Sequence, residues 1–391
     1  MPRVKTGLEV IAQAPPPELR KLRLGLLCNP ASVDAGFVHA RERILQTFPG
    51  RLKALFSPQH GFYAEKQDNM IESADRRDPV TGLPVYSLNA KTRIPTEAML
   101  EGIDAMLVDL QDVGTRVYTF VYSLSYCMEA AGRSGKKIIV LDRPNPLGGL
   151  GIEGNLLHPD CASFVGRYPI PMRHGLTIGE LAVLFNTVFG IGCDLEVVAM
   201  QGWQRAMGFE DTGLPWIAPS PNLPTPASAM VYPGQVIWEG TNISEGRGTT
   251  QPFELFGAPF IEPARLLEAI DPEISRGVVL RPVVFEPTAN KWTGCPCRGF
   301  QIHVTEPTAY LPYAFSLGIY QAVYRLYPDR FAYKQPPYEY EYEKLPMDLI
   351  LGDGNVRSQI EAGVPIGEML RQWSPSLTAY RESIEPVLHY R

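Results

Sequence analysis

Residues able to do chemistry cluster just beyond short apolar runs. Asn29 follows the first run. Gln59, His60 and, a little later, Glu65 follow the second. Asp109, Gln111, Asp112 and Arg116 follow the third, and Asp142, Arg143 and Asn145 the fourth. The densest loop, 239–250, holds Glu239, Asn242, Glu245 and Arg247 with three glycines and four hydroxyls, too polar a mixture for a plain connector. Carboxylates abound, while no GxSxG elbow, Walker loop or HExxH is present. Paired Asp/Glu beside amides, Arg and aromatics are the equipment of glycoside hydrolysis. One carboxylic acid protonates the leaving oxygen, and a second group acts as nucleophile, base or electrostatic stabiliser.

On that chemistry the acid should be Glu65, Glu239 or Glu245. Each stands in a loop past an apolar run, where burial or a second carboxylate would raise its pKa as a general acid requires. Asp109 and Asp112, near Arg116, suit a charged role, and His60 is a further catalytic candidate. Asn29, Gln111, Tyr118, Asp142, Asn145, His174, Asn222 and Asn242 are placed to bind sugar hydroxyls. A carboxylate-bearing sugar would call on Arg116, Arg143, Arg173 or Arg247. Tyr118, Tyr122, Trp203, Trp216 and Trp238 offer faces for stacking. Each residue also has a plain structural use. Asp109 can cap a helix or pair with Arg116, and Asp142-Arg143 can fix a turn. His60 can bond loop backbone, and Arg173-His174 can shape a helix entry.

Other chemistries are disfavoured. Gly149-Leu-Gly151-Ile-Glu-Gly154 fits GxGxxG, but a Pro-Asn-Pro turn separates it from the preceding run and no helical pattern follows. Cys295-Pro-Cys297 has no second ligand pair. Neither a metal nor an organic cofactor is therefore expected. The net charge of −6 argues against nucleic acid as the main partner, and no apolar run reaches the roughly 18 residues of a membrane span. The start of the chain shows no apolar signal core, so a cytoplasmic location is expected, with the six cysteines reduced. Nothing in the residues sets an oligomeric state.

These residues need a frame. Continuous apolar runs at 23–28, 51–57, 105–110, 137–142, 195–200 and 235–239 read as strands covered on both faces. Helical patterns at 38–47, 96–102, 117–132 and 177–189 lie between them, the last opening with the capping box Thr177-Ile-Gly-Glu180. Alternation of this kind implies an α/β fold: a Rossmann-like, mostly parallel sheet domain over residues 1–257. Asn29, His60, Asp109, Asp142 and Glu239 should then share one edge of that sheet. After Gly257 the texture changes. Strands at 278–287 and 299–305, a helix at 313–326 and the aromatic, acidic run Tyr338-Glu-Tyr-Glu-Tyr-Glu343 suggest a smaller α+β domain over 258–391, with the cleft between the two.

Several long motifs carry a resemblance: GLLCNPA at 25–31, PQHGF at 58–62, TGLPVYS at 81–87, DLQDVGTRVYT at 109–119, LDRPNPLGG at 141–149, PMRHGLT at 171–177, DTGLPW at 211–216, PSPNLP at 219–224 and the loop 239–250. With these the chain resembles the exo-β-N-acetylmuramidase family of bacterial peptidoglycan hydrolases. The resemblance implies a Rossmann-like domain, a smaller C-terminal domain and a cleft between them. It also implies release of N-acetylmuramic acid from the non-reducing end of glycan fragments, so the expected partner is a muropeptide or amino-sugar glycan. Family members often have Glu where Gln59 stands and Arg where Tyr63 stands, and the stretch 64–73 is rearranged. If the family's acid were that Glu, this chain would be inactive or retuned, or Glu65 would serve instead. Two other readings compete: a sugar-binding protein without catalysis, and a Rossmann-type phosphate or nucleotide enzyme using residues 246–250 as an anion nest.

Overall fold

The computed structural model describes residues 3–68, 70–90 and 92–391. Its centre is a seven-stranded sheet built from β1 (Leu24–Cys28), β2 (Leu52–Ser57), β3 (Arg76–Arg77), β4 (Pro84–Ser87), β5 (Ala105–Asp109), β6 (Lys137–Leu141) and, later in the chain, β9 (Asp194–Val198). The order is β3-β4-β2-β1-β5-β6-β9, and only the β3–β4 pair is antiparallel. Counting the six parallel strands alone gives the doubly wound order 3-2-1-4-5-6, whose ligand crevice lies beyond the carboxyl ends.

Alternation along each strand divides the core in two. Leu24, Leu26, Leu55, Leu107, Ile139 and Leu141 face α1 (Gly7–Gln13) and α2 (Ala40–Thr47) through Leu8, Ile11, Ala40 and Ile44. Leu27, Phe56, Met106, Val108, Ile138 and Val140 face the other way, toward α3 (Glu97–Glu101), α4 (Phe120–Arg133) and α5 (Ile178–Thr187). Strands buried on both faces have no polar side, so they read as unbroken apolar runs. The capping box at Thr177 forms as its spacing predicts.

The run 235–239 is not a strand. Thr225 and Ser228 form a capping box, and Pro226 stands at the first helical position of α6 (Pro226–Gln235). The chain then tightens into a 3₁₀ turn over Val236–Gly240. All five residues of that turn are buried, so the run is apolar without being extended. Glu239 therefore does not sit at the sheet edge, whereas Asn29, His60, Asp109 and Asp142 each lie just past a parallel strand. The sixth parallel strand is β4 instead, inside the TGLPVYS motif.

A hairpin-like pair, β7 (Glu153–Leu156) and β8 (Pro171–Arg173), leads out of the sheet domain. The C-terminal part carries an antiparallel sheet ordered β10 (Leu255–Ala258), β12 (Cys297–Val304), β11 (Val278–Phe285). Around it stand α7 (Pro263–Ala269), α8 (Pro312–Leu326), α9 (Pro346–Leu351), α10 (Gly354–Glu361) and α11 (Ile366–Ile384). The division expected after Gly257 falls inside β10, and α6 before it packs on α8. At that crossing a Cβ on Gly234 would stand 2.0 Å from the Pro312 carbonyl oxygen, so only glycine permits the approach. We place the start of the C-terminal part at Pro226.

Candidate active site

Loops from both parts converge on one cleft. It is lined by Gln59, His60, Tyr118, Thr119, Asn222, Tyr232, Glu239, Arg247, Phe253, Tyr338 and Glu339. An adjoining hollow adds Asp68, Glu245, Asn290, Lys291 and Lys334. The loop after β2 supplies Gln59 and His60. His60 holds left-handed backbone, φ 73°, directly before Gly61 at φ 86°. Its Nδ1 donates to the Lys66 carbonyl at 2.7 Å. Burial disfavours the imidazolium and lowers its pKa to about 4, with Arg247 adding to the effect. The ring is thus neutral near pH 7, with its lone pair on Nε2.

The two glutamates of the cleft stand in opposite environments. Burial alone would raise Glu239, but Arg247 at 2.6 Å and the Tyr338 hydroxyl at 2.8 Å overcome this and hold it below the usual carboxylate range. Glu339 comes from the Tyr-Glu run between Pro337 and α9. It is buried, and burial together with the Glu239 charge lifts its pKa to about 7, partly opposed by Gln59. The Gln59 Nε2 donates to its two oxygens at 2.9 and 3.1 Å, and the Gln59 Oε1 accepts from the Thr119 hydroxyl at 2.6 Å. Carboxyls pushed apart in this way divide acid and anion roles between them.

Of the residues singled out from sequence, His60, Tyr118, Asn222, Glu239, Glu245 and Arg247 come together here. Each acid candidate has a cation beside it, some from its own loop and some from elsewhere in the chain. Glu245 is paired with Lys291 at 2.7 Å and Arg247 at 3.2 Å. Glu65 lies outside the cleft, half-exposed, with Arg76 at 3.5 Å.

The remaining candidates hold the frame. Asp109 is buried in an ion pair with Arg143, which also donates to the Val33 carbonyl. Asp112 accepts from the Gly114 amide and lies 3.2 Å from His174. Asn29 donates to the Pro219 carbonyl, and Gln111 to those of Asp112 and Pro144. Asp142 accepts from Thr177, the Gly179 amide and Tyr390. Asn145 donates to the Leu176 carbonyl, Arg173 to that of Leu147. Asn242 bonds the backbone of Arg330 and Ala332. Arg116 is fully buried and donates to the carbonyls of Asn155, Ile170, Ile350 and Leu351. Among the stacking candidates only Tyr118 lines the cleft, and Trp238 is fully buried.

In the loop 246–250 and its flank, the amides of Gly246, Thr249 and Gln251 bond Ser244, the Gly246 carbonyl and Thr249. Among the described residues no cluster of three His, Cys, Asp or Glu could hold a metal ion.

Sequence reading missed Thr119, Tyr232, Phe253, Lys291, Lys334, Tyr338 and Glu339 as site residues, and gave Gln59 no role of its own. The alternating Tyr-Glu run was the visible signal for Tyr338 and Glu339. Lys291 is saturated, donating to Glu245 and to the Trp238 and Ile243 carbonyls. Lys334 differs: its ammonium lies 5.4 Å from the Tyr338 ring centre, and no carboxylate pairs with it among the described residues.

Comparison with known proteins gives the same frame. Residues 24–227 match the model of the exo-β-N-acetylmuramidase NamZ N-terminal domain, and residues 230–390 match that of its C-terminal domain. The chain is 42% identical over 389 residues to the peptidoglycan β-N-acetylmuramidase NamZ of Bacillus subtilis, covering 100% of this chain and 92% of that protein. Crystal structures of two DUF1343-family proteins from Bacteroides fragilis also superpose. One does so with TM-score 0.88 at 34% identity and the other with 0.79 at 28%, each covering 100% of this chain and 99% of the other. The fold, the two-part cleft and these matches agree: the chain belongs to the exo-β-N-acetylmuramidase NamZ family.

Proposed function

We propose that this chain is an exo-β-N-acetylmuramidase, a glycosidase that releases N-acetylmuramic acid from the non-reducing end of peptidoglycan-derived glycans. The observation that carries this reading is the pair Glu239 and Glu339: two buried carboxyls in one aromatic-lined cleft, one held ionised and the other raised to titrate near neutral pH. Glycoside hydrolysis needs that division between an acid and an anion facing the developing positive charge at C1. Family membership and the 42% identical relative support the same substrate. N-acetylmuramic acid differs from N-acetylglucosamine by a lactyl carboxylate, which calls for a cation. Lys334 fits that need better than the cleft's other cations, since Arg247 and Lys291 are already engaged by Glu239 and Glu245.

Incubation of the full chain with the disaccharide N-acetylmuramyl-β-1,4-N-acetylglucosamine tests the reading. Free N-acetylmuramic acid should accumulate, and the isomer with the two sugars reversed should stay intact. Binding of N-acetylmuramic acid with no turnover of the disaccharide would make the chain a sugar-binding protein instead.

A further inference from the structure

We infer that Glu339 is the general acid of this chain and that Gln59, oriented by Thr119, is the residue that aims its proton at the substrate. The inference rests on the reading of the chain as a muramidase and deepens it. Three observations lead to it. First, Glu339 lines both hollows of the cleft and pairs with no Lys or Arg among the described residues, unlike Glu239 and Glu245.

Second, the Gln59 side-chain amide is held between Thr119 and Glu339. The Thr119 hydroxyl donates to Oε1, so the amide nitrogen is turned toward Glu339. An amide nitrogen donates and does not accept. A proton on Glu339 therefore finds no acceptor at the Gln59 nitrogen that faces it and is left for an oxygen in the cleft. A carboxylate at position 59 would instead share that proton.

Third, the backbone is bent to bring Glu339 there. Glu339 and Tyr340 both take left-handed backbone, φ 48° and 66°, and the Tyr338–Glu341 pair of backbone bonds closes a tight loop around them. Left-handed backbone at non-glycine residues is costly and gathers at working sites. His60, opposite, has the same conformation.

The step balances simply. Glu339 passes its proton to the glycosidic oxygen as the C1–O bond breaks, and the leaving sugar departs as an alcohol. Water provides the hydroxyl at C1, and the proton it sheds restores the acid. The Glu239 carboxylate stays charged throughout. Burial and the Gln59 bond act most on the titration of Glu339, followed by the charges of Glu239 from the turn after α6, Arg93 before α3 and Arg247. His60 after β2 and Tyr338 and Lys334 on its own side also line the cleft. The carboxyl sits at about 7, so the protonated form is lost as pH rises through that value.

The test uses the full chain, the natural disaccharide and 4-nitrophenyl β-N-acetylmuramide, whose leaving group needs little protonation. Glu339→Gln should lose on the order of 10²-fold or more in turnover of the disaccharide and far less with the aryl glycoside. The fall of wild-type kcat/KM above about pH 7 should vanish from the aryl profile of this variant. Calorimetric binding of N-acetylmuramic acid, retained in the variant, shows that it is folded. Thr119→Val frees the Gln59 amide to flip, so it should lower kcat with KM nearly unchanged and move the alkaline limb upward. Near-wild-type disaccharide turnover by Glu339→Gln, with its alkaline limb intact, would overturn the inference. Wild-type protein inert on both substrates would overturn the muramidase reading itself.

Discussion

Lys334 and Arg247 show how differently two cations in one cleft can be used. Arg247 neutralises Glu239 and Glu245 and rests 5.2 Å from the Phe253 ring centre, leaving little for a ligand. Lys334 carries an ammonium with no carboxylate to satisfy. Lys334→Met should reduce kcat/KM for aryl N-acetylmuramide by about tenfold or more, the weight of one charge-assisted contact. Weak turnover of the matching N-acetylglucosaminide should not change, and an equal loss on both sugars would remove the lysine from lactyl recognition. Residues close together in sequence could be read in advance. Glu239, Glu245 and Arg247 fall in one polar loop, and the loop itself announces a site. The Gln59–Glu339 contact could not, because the partners are 280 residues apart. Neither residue is unusual alone, and the chemistry arises only where the loops of two folding units meet. Lys291, 46 residues from its partner Glu245, escaped for the same reason.

Secondary structure was legible where one force dominated. Strands buried on both faces and helices opened by Thr177 or Thr96 announce themselves by burial and capping. The run 235–239 misled because burial on all sides erases the period that separates strand from helix. The strand β4 hid for the opposite reason, since its four residues alternate between buried and half-buried behind a Gly-Leu-Pro turn. Arg116 shows what an element's end can require. The last carbonyls of α9 have no partner within the helix, and the Arg116 guanidinium takes those of Ile350 and Leu351 together with Asn155 and Ile170. Arg116→Met should leave the Ile350 and Asn155 carbonyls short of their donor, while those of Leu351 and Ile170 keep the Asn155 side chain and the Leu157 amide, and cost about 1–3 kcal/mol in urea unfolding. The KM of the surviving folded enzyme should hold, because Arg116 does not line the cleft. A raised KM at full stability would give it a role in binding instead.

The two parts of the molecule share one continuous core, and their interface carries a titrating group of its own. Glu153 on β7 accepts from the Ala314 amide at 2.7 Å, in the first turn of α8, and burial lifts it to about 7 from 4.5. A folded-state pKa above the unfolded one means that the protonated form stabilises the fold. That contribution is whole below about pH 4.5 and is lost as pH rises through 7. Asp142, raised by burial to about 6, and Glu339 act in the same direction. Wild-type stability should therefore decline between pH 5 and 8, and Glu153→Gln should flatten the decline by up to about 3 kcal/mol. Identical slopes in the two proteins, read from thermal melts across that range, would show that Glu153 does not titrate there.

The small cluster beside the sheet has a further consequence. Val4, Met200, Trp203 and Met207 pack there together with Tyr390. The Val4 amide bonds the Thr212 carbonyl, and the Arg205 amide bonds that of Arg391. Both extremities of the described chain are thus fastened to one loop, and the order in which the segments are strung is not what makes the cleft. A circular permutant should therefore work. Arg391 and Arg3 would be joined by a flexible linker of about ten residues, and the chain opened between Pro49 and Gly50, both exposed. It should melt within a few degrees of the parent and keep its turnover of muramide. Loss of both would mean that the joined ends, and not the loop that receives them, carry the constraint. Success would yield a muramidase whose free ends lie at a surface turn, ready for grafting into another protein.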